Sequence, residues 1–199
     1  MGVLNMNAWN DESILEKNLS SERVFDGLIL HIDHLTNELP NGKTAAREVA
    51  RHIGASAVLP MDNQGNVLLV RQYRSPIDRI TLEIPAGKLD YKGEDHLEAA
   101  ERELREETGA TAGKWTHLTD LLSSVGFCDE CISIYLAESL SYGDSDPDED
   151  EFLNLVRMPF SDALDMVMHN QIRDAKTIAA ILMANTILSS RKGNENAAQ

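Results

Sequence analysis

Three glutamates, Glu103, Glu106 and Glu107, stand close together in the stretch GKLDYKGEDHLEAAERELREETGA, from Gly87 to Ala110. A helix turns by about 100° per residue, so here Leu97, Ala100 and Leu104 form one apolar stripe and the three glutamates lie along its border. Glu98 with Arg102, and Glu101 with Arg105, are favourable i,i+4 pairs and read as an ordinary charged helix face. Glu103 and Glu107 are different: they are spaced i,i+4 to each other, and no basic residue lies three or four positions from either. Such a like-charged pair costs roughly 0.2–0.5 kcal/mol. A cation between the two carboxylates would reverse that cost. Carboxylate oxygens, completed by water and a backbone carbonyl, suit the octahedral demand of magnesium or manganese. On spacing alone, a metal site and a plain charged helix stand as equal readings.

A second acidic feature is GDSDPDEDE, which puts six carboxylates, Asp144, Asp146, Asp148, Glu149, Asp150 and Glu151, into eight positions. A run of this kind is not buried unpaired, so it is a solvated loop or a cation site. The whole chain is acidic as well, with 18 Lys and Arg against 33 Asp and Glu, a net charge of −15. That balance argues against nucleic acid and anionic membrane as partners. It permits an anionic substrate, provided divalent cations neutralise both the substrate and the carboxylates facing it. Cys128 and Cys131 form a lone CxxC; without a second ligand pair they read as two free thiols at the start of a strand.

The elements that must position these residues can be read from pattern. A chain of 199 residues, 42% of them hydrophobic, supports one well-buried domain with at most a small appendage. The first residues read as a polar arm or a short helix. From Val24 onward, VFDGLILHIDHL, TAAREVARHI, ASAVLPM, NVLLVRQYR and ITLEIP predict successive strands, with turns at Pro40–Gly42 and Asp62–Asn66. A helix is predicted from His96 to Thr108, opened by Asp95 with Glu98 in a capping-box pattern and stopped by Gly109. KWTHLTDLL, CISIYLAESL and FLNLVRMP predict further strands. Two helices close the chain, one capped by Ser161 and one starting near Asp174 with Ile178, Ile181, Leu182 and Leu188 on one face. The pattern implies an α/β domain with a mixed sheet between helices, in three layers. No signal peptide, myristoylation signal or membrane span is visible, so a cytoplasmic location is expected.

The stretch from Gly87 to Ala110 resembles the Nudix box, G-x5-E-x7-R-E-U-x-E-E-x-G-U, where U is a bulky apolar residue. Glu94, Arg102, Glu103, Leu104, Glu106, Glu107, Gly109 and Ala110 match in order. Gly87 departs, because six residues, KLDYKG, separate it from Glu94 where the pattern has five. Beyond the box, REV from Arg47, VRQYR ending at Arg74, LEIPAGKL from Leu82, VGFCDE from Val125 and the DEDEF loop resemble the ADP-ribose pyrophosphatase and nucleotide-sugar hydrolase branch of that family. The resemblance implies a Nudix fold, an α-β-α sandwich over residues 56–191. It also implies an N-terminal arm and β subdomain at 1–55, exchanged between the subunits of a homodimer, and a disordered tail at 192–199.

The resemblance further implies Mg2+, or Mn2+, held by the carbonyl of Ala86 and the side chains of Glu103 and Glu107. Glu106 would support a metal or a bridging water, and Arg102 would hold the box carboxylates by ion pairing. Glu149 or Glu151 would supply the general base or, as Glu151, a further metal ligand; the sequence leaves both open. The implied substrate contacts are Arg47, from the other subunit, with Arg74, Glu83, Gly126, Asp129, Asp174 and Lys176. Taken alone, an arginine on a strand is more often a solvated edge residue, Glu83 is equally a sheet-face carboxylate, and Asp174 is explained as a helix N-cap. Lys176 lacks such an explanation, since a cation in the first turn opposes the helix dipole. An Asp-x-Lys at this place resembles the nucleotide-sugar hydrolases. The implied reaction is therefore hydrolysis of a nucleoside diphosphate sugar to a nucleoside monophosphate and a sugar phosphate. A strict ADP-ribose pyrophosphatase is the alternative, and a non-catalytic Nudix-fold binding protein is a third reading, which the retained Glu103, Glu106 and Glu107 argue against.

Overall fold

A strand that is apolar at almost every position needs cover on both faces, and ASAVLP finds it here. The computed structural model describes residues 11–143 and 152–197, with side chains through Arg191. The strands are β1 (Lys17–Asp26), β2 (His31–Glu38), β3 (Thr44–Arg51), β4 (Ala55–Pro60), β5 (Asn66–Arg74), β6 (Arg79–Glu83), β7 (Ala86–Lys88), β8 (Ala110–Leu122), β9 (Cys131–Tyr142) and β10 (Leu153–Pro159). The helices are α1 (His96–Thr108), α2 (Phe160–Met168) and α3 (Ala175–Ala197). The chain divides into two units: the described residues up to His52 with Ser124–Asp129, and Ile53–Ser123 with Glu130 onward.

The first unit is an antiparallel meander with β2 between β1 and β3. Segment 124–129 lies along β3, where Ala50 N–H donates to the Phe127 carbonyl at 2.7 Å and Asp129 N–H to the Ala50 carbonyl at 3.2 Å. The run VFDGLILHIDHL, predicted as one strand, is instead the end of β1, a turn and the start of β2. Gly27 N–H closes that turn on the Leu30 carbonyl at 2.9 Å. Leu28, Ile29 and Leu30 are exposed there, so apolar turn residues imitated a continuous strand. Asp33 is buried under Arg23 and Arg51, at 2.5 and 2.8 Å, and the two guanidinium groups hold its carboxyl below the usual range.

In the second unit β4 runs parallel to β9 and antiparallel to β7, in the order β7-β4-β9-β8, while β10-β5-β6 is antiparallel throughout. Ala57 and Leu59 of β4 face a cluster with Ile134, Leu136, Ile181 and Ala184, whereas Val58 faces Leu68, Leu104 and Ala137. Alternate residues of β4 are thus covered by α3 on one face and α1 on the other. This is the predicted α/β arrangement, a mixed sheet between helices.

Asp95 caps α1 by accepting from Leu97 N–H at 2.8 Å and Glu98 N–H at 3.1 Å, and Gly109 ends it in the left-handed region at φ 68°. Ser161 does not cap α2: the helix starts at Phe160, after Pro159, and the Ser161 hydroxyl donates to Asp162 instead. On α3, Leu182 is 38% exposed rather than part of the buried face. That helix continues to Ala197 instead of ending at Arg191, whose guanidinium is anchored on the Glu138 carboxylate of β9 at 2.9 Å.

The β4–β5 turn is built around Asp62, which accepts from Gln64 N–H at 2.8 Å, Asn66 N–H at 3.0 Å and Arg157 Nε at 2.7 Å. Burial raises the Asp62 pKa, but hydrogen bonds from Asn66, Arg157 and Gln64 outweigh it and hold the group at about 2.

Candidate functional site

The inner face of α1 buries two carboxylates. Glu103 is 7% exposed and Glu107 4%, while Glu106 is half-buried. Arg102 lies among the acids. Its Nη1 donates to Glu103 Oε1 at 2.7 Å and Glu106 Oε2 at 3.3 Å, Nη2 reaches Glu94 Oε1 at 3.5 Å, and Nε stands 3.3 Å from Asp90 Oδ2. Burial pulls the Arg102 pKa down, but Glu103, Asp90 and Glu94 together hold it above its ordinary value. The predicted pairing of Arg102 with Glu98 is therefore replaced by an inward one, because several partly desolvated carboxylates attract the guanidinium more than one solvated glutamate does.

Gly87 sets how closely the loop approaches the helix. A Cβ at this position would fall 2.1 Å from Glu103 Oε1 and 2.3 Å from its Cδ. Between Gly87 and Glu94 the chain makes an exposed bend at residues 90–93, where Gly93 takes φ 91°. Glu94 closes that bend by accepting from Asp90 N–H at 2.7 Å. Ala86, next to Gly87, is in register with Ala57 on β4. A backbone carbonyl beside buried carboxylates is an all-oxygen donor set, which suits a small hard divalent cation and not a thiophilic one. Among the described residues no three acidic, histidine or cysteine side chains already converge on one point. Glu149 and Glu151 lie outside the described residues.

A second cluster gathers four of the seven residues expected to touch substrate, Arg74, Glu83, Asp174 and Lys176. Arg74 ends β5 and grips Glu83 of β6 bidentately, Nε to Oε1 at 2.9 Å and Nη2 to Oε2 at 2.7 Å. Thr81 donates to Glu83 Oε1 at 2.5 Å, and Lys176 donates to Oε2. Lys176 also pairs with Asp174 at 3.1 Å. Lys176 thus has a structural partner, 93 residues away in sequence, which corrects the expectation that it lacks one. Asp174 is the N-cap of α3, accepting from Thr177 N–H at 3.0 Å and the Thr177 hydroxyl at 2.6 Å. Arg74 is held charged by Glu83 foremost, then by Asp174 and Glu107, so the two clusters share one electrostatic neighbourhood.

Burial raises the Glu83 pKa, but Arg74, Lys176 and Thr81 outweigh it and hold the group at about 2, against an ordinary 4.5. The folded-state value is depressed, so the stability this group contributes is complete above 4.5 and is lost as pH falls toward 2; Asp62 behaves alike below 3.8. Urea unfolding followed at a series of pH values should show midpoints falling steeply below about pH 4. A midpoint flat down to pH 2 would contradict the depressed values.

In the N-terminal unit, Arg47 is paired with Glu16, and its Nη1 donates to the Ala46 carbonyl at 2.9 Å. Asp129 accepts from Arg51 Nη1 at 3.0 Å and His52 N–H at 2.8 Å. An added Cβ at Gly126 would meet nothing within 4 Å. Sequence reasoning missed Asp90 as an Arg102 partner, and it missed Thr177, whose hydroxyl accepts from Ile84 N–H at 2.9 Å. Neither carries a sequence signal, since both act through the folded chain.

The NUDIX domain matches residues 50–181. The ADP-ribose pyrophosphatase of Bacillus subtilis (strain 168) is 43% identical over 172 residues, 85% of this chain and 92% of that protein. The methanol dehydrogenase activator of Bacillus methanolicus is 40% identical over 168 residues, 83% and 90% of the two chains. The GDP-mannose pyrophosphatase of Yersinia pestis (strain Pestoides F) is 36% identical over 141 residues, 66% and 70%. Among solved structures, an ADP compounds hydrolase aligns with a TM-score of 0.78 at 25% identity, over 88% of this chain and 95% of that one. Shared sequence over most of its length, on a shared fold, makes this chain a member of the Nudix family and a Nudix pyrophosphohydrolase.

Proposed function

We propose that the protein hydrolyses the pyrophosphate bond of ADP-ribose and related nucleoside diphosphate sugars, using magnesium or manganese bound at the inner face of α1. The observation that carries this reading is the buried pair Glu103 and Glu107, with Glu103 pressed against Gly87. Two desolvated carboxylates on adjacent turns weaken packing, whereas ligation of a hard cation requires them. ADP-ribose stands first because the relative at 43% identity carries that name. The preference for hexose nucleotides leaned on Lys176, and Lys176 is occupied by Glu83. Hexose nucleotides remain the second reading, favoured by the GDP-mannose pyrophosphatase at 36% identity.

The cation, when bound, would neutralise pyrophosphate charge and acidify a water. The Ala86 carbonyl, Glu103 and Glu107 would hold it, and Glu106 would orient the attacking water. Arg102 would keep the box carboxylates in place. Arg74, fixed in orientation by Glu83, would present a cation to the phosphate or the terminal ribose. Glu149 or Glu151 would take the proton of the attacking water. The exposed apolar residues Val24, Phe25, Leu28, Ile29 and Leu30 of the N-terminal unit support a homodimer, in which Arg47 would be offered to the partner's substrate.

The test is a magnesium-dependent assay of kcat/KM for ADP-ribose, GDP-mannose, ADP-glucose and UDP-glucose, with products identified and the mass in solution measured by light scattering. ADP-ribose should be cleaved fastest, to AMP and ribose 5-phosphate, by a particle of twice the chain mass. Faster cleavage of a hexose nucleotide would reverse the order of the two readings, and a monomer would remove the dimer. Inertness toward all four substrates would overturn the hydrolase reading in favour of a binding protein.

A further inference from the structure

The chain between β6 and β7 has to place a carbonyl and a glycine against α1, and it is held residue by residue. Glu83 is gripped by Lys176, and the Pro85 carbonyl accepts from Val58 N–H at 2.9 Å. Between them Ile84 is buried, and its N–H lies just beyond the end of β6. A buried N–H needs an acceptor. That acceptor is the hydroxyl of Thr177, a residue with no exposed surface, at 2.9 Å. The same hydroxyl donates its proton to Asp174 Oδ2 at 2.6 Å, so it is fixed both as donor and as acceptor. Lys176 and Thr177, both in the first turn of α3, thus hold two of the three residues 83–85, and the next two residues are Ala86 and Gly87.

We infer that Thr177 is a positioning residue for the cation site: through Ile84 N–H its hydroxyl fixes segment 83–87, and with it the Ala86 carbonyl and the close approach of Gly87 to Glu103. The inference rests on the reading that this segment and α1 hold a divalent cation. Packing alone does not need the hydroxyl, since valine has nearly the same shape. What valine cannot do is accept from Ile84 N–H, and an unsatisfied buried donor pushes its segment toward another partner.

The test is Mn2+ binding by calorimetry to the purified full chain without substrate, together with KM and kcat for ADP-ribose at saturating metal. Thr177→Val should raise the Mn2+ Kd by about 10- to 100-fold, the range that partners behind metal ligands carry. At saturating metal its KM should stay within about threefold. Thr177→Ser should restore Mn2+ affinity. Should Thr177→Val not fold, Thr177→Ser and Thr177→Cys make the same comparison, alike in shape but with sulfur the weaker acceptor. A folded Thr177→Val with wild-type Mn2+ affinity, or a serine variant binding as poorly as valine or cysteine, would overturn the inference. Glu103→Gln, measured alongside, separates the two levels. Wild-type Mn2+ affinity in Glu103→Gln defeats the cation-site reading itself, whereas loss there with an unaffected Thr177→Val defeats only the role of Thr177.

Discussion

Glu107→Gln is expected to lower kcat by about two to four orders of magnitude, the span that removal of a charge-stabilising or proton-transferring group covers, while the fold persists. The amide matches the carboxylate in shape, so the buried face of α1 keeps its packing around Leu104 and Ala100. What changes is charge. Glu103 and Glu107 are both buried and one helical turn apart, and a neutral glutamine removes their mutual repulsion. For a residue with only a structural task, the lost repulsion from Glu103 is set against the lost attraction to Arg74, so the variant would stay within about 0.5 kcal/mol of the parent and be equally active. As a cation ligand the same residue gives the opposite result in activity and the same result in stability. Thermal melting and steady-state kinetics across a magnesium titration distinguish the two. A melting temperature close to the parent's, with kcat collapsed and the magnesium requirement raised, is the expected outcome. Parental kcat at ordinary magnesium would remove Glu107 from the site. Glu101→Gln, on the exposed face of the same helix, serves as the control and should stay within about twofold of the parent, as surface changes away from special features do.

The elements that sequence reading located best are those whose signals are local. Helix α1 has an aspartate that bonds the first free N–H groups and a glycine that adopts φ 68°, so both ends are written within a single stretch. Strand β5 begins after a turn closed by Asp62 and ends at Arg74, where the chain turns back into β6. The failures have a common cause in long-range context. Leu28, Ile29 and Leu30 are apolar yet occupy a turn, and nothing in their types distinguishes them from a strand. Lys176 looked unexplained because Glu83, its partner, lies on another element 93 residues earlier. The same separation hid Thr177 and Ile84 from each other. In the site itself the acids of α1 were legible from helical spacing. The inward turn of Arg102 onto Glu103 and Glu106 was legible only from the family resemblance and not from helical spacing, which pairs it with Glu98, because a residue adjacent to Glu103 shares its face only through a long, bent side chain.

Gly87→Ala should separate the site from the fold more sharply than any change of a charged residue. The substitution adds one methyl group, and in the present arrangement that carbon would lie 2.1 Å from Glu103 Oε1, 2.3 Å from Cδ and 2.5 Å from Oε2. No real contact is that short, so the carboxylate must move away. Glu103 is a long side chain and can do so, which leaves β7 paired with β4 and the helix ends capped as before. The carboxylate cannot, however, both avoid the methyl and keep its present place beside the Ala86–Gly87 backbone. A misplacement of about 1 Å in a catalytic arrangement costs about 100-fold in rate, and that is the expected fall in kcat, accompanied by weaker Mn2+ binding. Stability, read by urea unfolding, should change by no more than about 1–2 kcal/mol, because the clash is with a movable side-chain end and not with backbone. The glycine's φ is not in the left-handed region, so any loss cannot be assigned to backbone strain. If Gly87→Ala binds Mn2+ and turns over like the parent, Glu103 does not act from the position it holds against this loop, and the box glycine would be explained by nothing in the geometry of the site.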